Sequence, residues 1–500
     1  VAALAGAGAG LVTGWLNVRL NILQLLASIL TMIALYSINL RIMGAPNVPL
    51  LGEPTVFAPF VGEGSAYWVQ PLVLAVIVLA VKLALDWFFA SQTGLALRAT
   101  GANPRMARAQ GIPTGRLTMG GMALSNALIA LGGALYVQTQ GGSDISMGLG
   151  TIVIGLAAVI IGETLMPSRA LIIITLATVV GAVLYRLFIA LALQADFIGL
   201  QAQDLNLITA VLVGVALVLP KLKAAAPQAG TDGRPPMMEL RGLHKTFNPG
   251  TPIENPALRG VSLNIAAGEF VTVIGSNGSG KSTTLNAISG DLMVDDGQIV
   301  IDGRDVTKLN AWQRAGLVAR VFQDPMAGTC EALSIEENLA LAWQRGQRRG
   351  LGRAVRPELR TLFRERLAHL NLGLENRLGD RMGLLSGGQR QAVSLLMAAL
   401  RPSRMLLLDE HTAALDPKTA AFVLQLTDQI VAENQLTTLM VTHSMRQALD
   451  HGTRTVMLHQ GQVVLDVSGD ERARMDVPDL LAMFERTRGE KVSDDALLLG

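Results

Sequence analysis

Long apolar runs crowd the first 220 residues and then stop. A helix that crosses a bilayer needs about 20 mostly apolar residues. By that measure the pattern predicts spans over 21–43, 68–90, 117–138, 150–166, 170–193 and 205–220, the last short for its class. Residues 1–14 read as the end of a further helix. They place Gly6, Gly10 and Gly14 at i, i+4 and i+8, either a stripe for close helix packing or the accident of an Ala/Gly-rich run. From 237 onward short strand-like runs alternate with helical stretches, as in FVTVI at 270–274 and MLLL at 405–408. Between the two regimes, KLKAAAPQAGTDGRPP at 221–236 is rich in Ala, Gly and Pro without an apolar period, which reads as a linker. The expected division is a membrane domain over 1–220, the linker, a soluble domain over 237–470 and a tail over 471–500.

Composition sharpens this division. Half of the 500 residues are hydrophobic and 16% are charged, where a soluble chain carries about 25% charged residues. The mean hydropathy of +0.41 therefore averages a membrane half with an ordinary soluble half. A net charge of +2 gives no footprint for nucleic acid. Eight arginines within 343–370 lack interleaved aromatics and read as a solvated face. The single cysteine, Cys330, cannot form an internal disulfide and reads as a reduced thiol. The chain starts at Val1 inside an apolar run, with no basic leader or cleavage site. Fourteen residues at 1.5 Å each cover about 21 Å of a hydrocarbon core of roughly 30 Å. The expectation is that further helices lie upstream and that the chain does not transport without them.

Basic residues set the orientation. Arg19, then Arg98, Arg105, Arg108 and Arg116, then Arg169, then Lys221 and Lys223 fall on one side if the spans alternate. Glu53, Glu63, Asp144, Asp196 and Asp204 fall on the other, with Arg41 as a nearby base. The first set is expected to face the cytoplasm. Within the spans, Lys82 and Asp86 are i, i+4 partners and are expected to pair. Glu163 and Arg186 are candidates for a functional role in the membrane, although Glu163 lies close to Arg169.

The soluble half carries the chemistry. GSNGSGKS, from Gly275 through Ser276, Asn277, Gly278, Ser279, Gly280 and Lys281 to Ser282, fits G-x-x-x-x-G-K-[ST]. A strand pattern precedes it and a helical one, beginning with Thr283, follows. Backbone amides of such a loop surround phosphates, and the helix start adds positive potential. Lys281 is expected on the β- and γ-phosphates of ATP and Ser282 on Mg²⁺. In MLLLDE, Asp409 ends a buried strand and is expected to hold Mg²⁺, with Glu410 placed to activate water. A third motif, LSGGQRQA, spans Leu385 to Ala392 and contains Ser386, Gly387, Gly388 and Gln389.

These residues make 237 to about 470 similar to the ATPases of the ATP-binding-cassette family. The resemblance implies a head-to-tail dimer, with ATP between one phosphate loop and the other subunit's LSGGQ segment. It further implies Gln323 as a Mg²⁺-sensing glutamine that meets the permease, His443 as a switch on the γ-phosphate, Asp416 in the loop that crosses the interface, and Phe247 as the adenine-stacking aromatic. His411 departs from the family, which usually has Pro after the catalytic Glu. The segment SQTGLALRATGANPRMARAQGIPTGR at 91–116 resembles the ATPase-contacting cytoplasmic segment of permeases in branched-chain amino acid and ribose importers, at Gly94, Arg98, Ala99, Asn103, Ala107, Gly111 and Ile112. Over most of 1–220 the resemblance is closest to tryptophan/tyrosine transport permeases. The expected fold is thus a polytopic α-helical membrane domain joined to an α/β P-loop ATPase with a helical subdomain.

The resemblance implies an importer of a small polar solute, an amino acid, fed by a separate extracytoplasmic solute-binding protein. It places the chain in a bacterial inner membrane with the ATPase cytoplasmic, as a homodimer or paired half-transporter. Two other readings stand beside it. One is an exporter half-transporter, although such exporters have long cytoplasmic helical extensions and the connections here are short apart from 91–116. The other is a soluble cassette ATPase acting on nucleic acid or ribosomes, which the predicted spans oppose.

Overall fold

The computed structural model describes residues 1–50, 52–60, 68–148, 151–166, 170–193, 236–413 and 415–480. The span expected at 205–220, most of the linker, residues 481–500 and the charges Glu63, Arg169, Asp196, Asp204, Lys221 and Lys223 lie outside them. The chain divides into two compact units. One comprises Val1–Leu97 with Gly115–Leu222, and the other Arg98–Thr114 with Lys223–Gly500.

The first unit is helical: α1 Ala2–Leu20, α2 Gln24–Met43, α3 Val69–Ala90, then α4 Gln92–Ala102 and α5 Pro104–Ala109, which lead into the second unit, and α6 Thr114–Gln140, α7 Thr151–Leu165 and α8 Leu171–Leu193. Among the described residues α2, α3 and α6 are long and apolar enough to cross a membrane. α1 continues past residue 14, where the sequence pattern placed its end. It runs 19 residues to a left-handed Asn21, about 28 Å at 1.5 Å per residue. The Gly stripe on α1 is a packing face. A Cβ on Gly6 would lie 2.3 Å from the Asn126 carbonyl oxygen, and one on Gly10 2.3 Å from that of Met122. α7 and α8 approach as closely: a Cβ on Gly162 would fall 2.0 Å from the Ala177 oxygen, and one on Gly181 2.0 Å from that of Ala158. A small ribbon pairs β1 (Asn47–Pro49) with β2 (Gly142–Asp144), in the register Asn47↔Asp144. It joins the segments that follow α2 and α6, so both helices end on one side, as alternation of the spans requires. Lys82 pairs with Asp86 as expected, and Thr175 Oγ1 on α8 donates to Asp86 Oδ1 at 2.5 Å.

The second unit holds two sheets. β3 (Pro236–Phe247), β4 (Asn255–Ala266), β6 (Asp296–Ile301) and β7 (Arg304–Asp305) form an antiparallel sheet in the order β4-β3-β6-β7. The other sheet has the order β12-β11-β5-β10-β9-β8, from β5 (Phe270–Ile274), β8 (Val318–Val321), β9 (Met405–Asp409), β10 (Thr438–Val441), β11 (Arg454–His459) and β12 (Gln462–Ser468). All its pairs are parallel except β11 with β12. β5, β9 and β10 are buried on both faces, which explains why they read as unbroken apolar runs. The connecting helices are α9 Lys281–Ser289, α10 Ala311–Arg314, α11 Pro325–Gly328, α12 Ile335–Trp343, α13 Pro357–Ala368, α14 Gly387–Ala399, α15 Pro417–Asn434, α16 Met445–Asp450 and α17 Gly469–Ala473.

The second unit differs from the expected ATPase domain in two places. It continues past 470, since Leu480 is fully buried with Met445, Met457 and Val467. Residues 98–114, expected within 1–220, pack as part of the second unit. The arginine-rich stretch is only partly a solvated face. Arg345 is buried and donates to the carbonyls of Met397, Ala398 and Arg401 at the end of α14, the role of a helix C-terminal cation.

Candidate nucleotide-hydrolysis site

In a parallel sheet the strand order decides which loops meet. The neighbours β5, β10, β9 and β8 end at Ile274, Val441, Asp409 and Val321. Their C-terminal ends therefore deliver Gly275–Gly280, His443, Glu410 and Gln323 to one edge, the usual place for ligands in such sheets. Gly275 and Gly280 are required there. They hold φ of +152° and +95°, and a Cβ would lie 2.1 Å from the Leu458 oxygen or 2.5 Å from that of Ala257. The loop is thus pinned against the strands while its amides stay at the start of α9.

Lys281 is 8% exposed, and Nζ donates to the carbonyls of Gly275 at 2.8 Å and Ser276 at 2.9 Å. Burial pulls its pKa down to about 8, opposed by the nearby Glu410 carboxylate. Glu410 sits at φ +39°, a left-handed conformation uncommon outside glycine and found at functional sites. Its backbone N–H donates to the Val441 oxygen at 3.1 Å, tying it to β10. Gln323 Nε2 donates to Glu410 Oε2 at 3.1 Å, and His443 Nδ1 lies 3.5 Å from the same oxygen. Burial raises the Glu410 pKa, with the His443 contact as the chief opposing effect. The same contact raises that of His443 against its own burial. A carboxyl shifted this way, beside a titratable imidazole, suits proton transfer.

Asp409 is 2% exposed, with one oxygen on Arg320 and the other, Oδ1, buried without a protein partner. Gln323 Oε1 is likewise buried and unpartnered. Ser282 stands in the first turn of α9. These are hard oxygen donors of the kind a small divalent cation takes. His411 is fully enclosed, and its Nε2 meets Thr427 Oγ1 at 2.9 Å. Burial holds its pKa down to about 4, so this departure from the family packs as a neutral core side chain.

A second group of expected residues is gathered on α14 and α15. Ser386 caps α14: its Oγ accepts from Gln389 N at 3.3 Å, and Gln389 Oε1 accepts from Ser386 N at 3.2 Å. Gly387 packs near Leu415, and a Cβ on Gly388 would stand 2.1 Å from Thr419 Cγ2, so the helices touch where this glycine lies. Asp416 caps α15 by accepting from Thr419 N at 3.1 Å. Hydrogen bonding to Thr419 lowers its pKa. Phe247 ends β3 with its ring partly exposed.

The structure adds contacts that the motif readings do not give. Gln391, fully buried one turn into α14, donates Nε2 to the Phe322 oxygen at 3.0 Å, just before Gln323. Arg320 joins Asp409 to the end of α9. The one signal for it in the sequence is a charge inside the apolar strand VARV. Residues 98–114 make a defined set of bonds in this unit. Arg98 Nη1 meets Glu337 Oε1 at 2.7 Å. Asn103 Nδ2 donates to the carbonyls of Met326, Ala327 and Thr329 at 2.8, 3.3 and 2.9 Å. Arg349, another of the arginines read as solvated, donates to the Gln110 oxygen at 2.9 Å. Ala99, Ala107 and Ile112 are fully buried, and a Cβ on Gly111, at φ +76°, would lie 3.0 Å from Gly346 N.

A phosphate loop, a strand-end Asp-Glu pair with a glutamine and a histidine on it, and a separately capped LSGGQ helix define an ATP-binding cassette. A family described as ABC transporter matches residues 258–413. Another, described as branched-chain amino acid transport system / permease component, matches residues 1–219. A tyrosine transport ATP-binding protein of Clostridioides difficile (strain R20291) is 46% identical over 251 residues, 50% of this chain and 99% of that protein. A tyrosine transport system permease protein of the same organism is 42% identical over 214 residues, 43% of this chain and 69% of that protein. A macrolide export ATP-binding/permease protein of Nitrobacter winogradskyi is 36% identical over 241 residues, but these are 35% of its length. The chain belongs to the ABC transporter family, with a permease component of the branched-chain amino acid type and a cassette ATPase in one polypeptide. It is an ATP-hydrolysing transporter, set in a membrane and built from paired components.

Proposed function

We propose that the chain imports an amino acid of the tyrosine class, delivered by a separate solute-binding protein across a bacterial inner membrane, with the ATPase on the cytoplasmic side. One observation carries this reading: its two halves match the permease and the ATP-binding protein of tyrosine transport in one organism, at 42% and 46% identity. The membrane domain covers 1–220 apart from the docked 98–114, a linker follows to about 235, and the ATPase extends beyond 470. Lys281 and the amides of Gly275–Ser282, with Thr283 behind them, hold the ATP phosphates, and Phe247 stacks on the base. Mg²⁺ fits the oxygens of Ser282, Asp409 and Gln323, and when bound it supplies charge neutralisation on the phosphates. Glu410 takes the proton of the attacking water, steadied by Gln323 and His443. Two chains pair head to tail, so that Ser386, Gly387, Gly388, Gln389 and Asp416 complete the partner's nucleotide site. Residues 98–114 lie in sequence between α3 and α6 yet pack in the ATPase unit, which makes them the coupling element.

Uptake of labelled tyrosine by cells lacking their own tyrosine transport tests this. The chain expressed with a tyrosine-binding extracytoplasmic solute-binding protein is expected to import tyrosine, and Glu410→Gln to abolish import. Uptake that is indifferent to the binding protein, or net efflux, would overturn the import reading.

A further inference from the structure

Arg320 interrupts the buried strand β8, and its side chain is 4% exposed. Such a charge is costly in an interior unless it is paired and hydrogen-bonded; among the described residues its Nε has no partner, and the two Nη groups carry the bonds. Here Nη2 bonds to Asp409 Oδ2. Nη1 donates to Asn286 Oδ1 at 2.9 Å, Ser289 Oγ at 3.2 Å and Asp291 Oδ2 at 2.9 Å. Asn286 and Ser289 lie on α9, and Asp291 follows its cap, Gly290. Ser282 sits on the same helix, four residues and about 6 Å before Asn286. One guanidinium thus ties the strand that carries Asp409 to the helix that carries Ser282, without belonging to either motif. Its planar fork suits this task, since it fixes both distance and direction. The Phe322 ring, 3% exposed, supports the fork from the side, with Arg320 Cζ 4.7 Å from its centroid and Arg105 Cζ of the docked segment at 5.0 Å.

We propose that Arg320 is a positioning residue for the divalent cation: it sets the Asp409 carboxylate relative to Ser282. The proposal rests on the reading of those two residues as cation ligands. Without the guanidinium, the buried Asp409 carboxylate loses its cationic partner and its fixed direction, and the tie to Asp291 at the end of α9 is gone. The effect on the cation site is then larger than the effect on the nucleotide, which the loop amides hold.

The test measures Mn²⁺ binding by electron paramagnetic resonance on the full chain with ADP, alongside ADP affinity in EDTA and the Mg²⁺ dependence of hydrolysis. Arg320→Met is expected to weaken Mn²⁺ binding tenfold or more and to raise half-saturating Mg²⁺ similarly, with metal-free ADP affinity within threefold. Arg320→Lys, which keeps the charge without the fork, is expected to fall between Arg320→Met and the native chain. A loss of folded protein alone would lower amplitudes and leave half-saturation unmoved. Unchanged or tighter Mn²⁺ binding in Arg320→Met, with binding lost in Asp409→Asn, overturns the role of Arg320 and leaves the cation reading standing. Unchanged binding in Asp409→Asn overturns the cation reading itself. If Arg320→Met fails to bind ADP in EDTA, Asn286→Ala with Asp291→Asn slackens the same fork from its other arm. That pair is expected to weaken Mn²⁺ binding at least threefold, and no change there overturns the proposal.

Discussion

Asn103→Asp is a nearly isosteric change with a directional consequence. Asn103 Oδ1 caps α5 by accepting from Met106 N at 3.0 Å, and an aspartate caps a helix equally well. The other arm is inverted: an amide that donates to three carbonyls becomes a carboxylate that faces them. The two short bonds, at 2.8 and 2.9 Å, are each worth about 1 kcal/mol net, and the unsatisfied carbonyls facing a charge add about 1–2 kcal/mol more. The docked state of residues 104–112 should lose about 3–4 kcal/mol, a factor of roughly 150 to 900 at 1.36 kcal/mol per tenfold. Amide hydrogen exchange reads this directly, since local opening sets the protection of a docked segment. Protection of 104–112 should fall by that factor in the full chain, while amides of β5, β9 and β10 keep theirs and ATP hydrolysis persists. Protection unchanged within threefold would refute the assignment of Asn103 as the pin of this segment.

Glu410→Gln should retain ATP binding and reduce turnover by about 10²-fold or more, the scale of a lost general base, as measured by phosphate release from the purified chain. If two chains pair head to tail as proposed, mixing native with Lys281→Ala chains should lower activity below simple dilution; strictly proportional activity would mean independent monomers. Gly388→Ala should destabilise the ATPase unit by about 1–3 kcal/mol through overpacking against Thr419 Cγ2. Adding Thr419→Ala, which removes that methyl, should restore most of the thermal midpoint, and a strictly additive pair would show that the contact is unimportant.

The phosphate loop was legible in the sequence because wrapping phosphate demands backbone amides in conformations that only glycine adopts freely, which leaves a rigid spacing in the text. FVTVI and MLLLD were legible for a related reason, since a strand buried on both faces has no polar alternation to hide it. Arg320, Arg345 and Arg349 were not. Their partners lie 29 or more residues away in most cases, as with Arg320 and Asp409, 89 residues apart, so no local period marks them. The C-terminal end of α1 is hidden because hydropathy falls after Gly14, whereas helix continuity depends on backbone geometry, and the helix ends only where Asn21 turns left-handed. The extent of the ATPase beyond 470 rests on Arg472 and on Met475, Val477 and Leu480, scattered positions whose partners lie on distant elements.

The docked segment has a consequence for synthesis. Arg98 leaves the ribosome 239 residues before its partner Glu337. At about 5–20 residues per second the wait is roughly 12 to 50 seconds. Throughout it, Ala99, Ala107 and Ile112, which end fully buried, have no surface to cover them. α3 and α6 on either side are meanwhile long and apolar enough to enter a bilayer. A system that makes its permease and its ATPase as separate chains can meet this need with an ATPase already folded in the cytoplasm. The fused chain offers each new copy its own ATPase only after the membrane part is made, so order of assembly is written into the order of its domains.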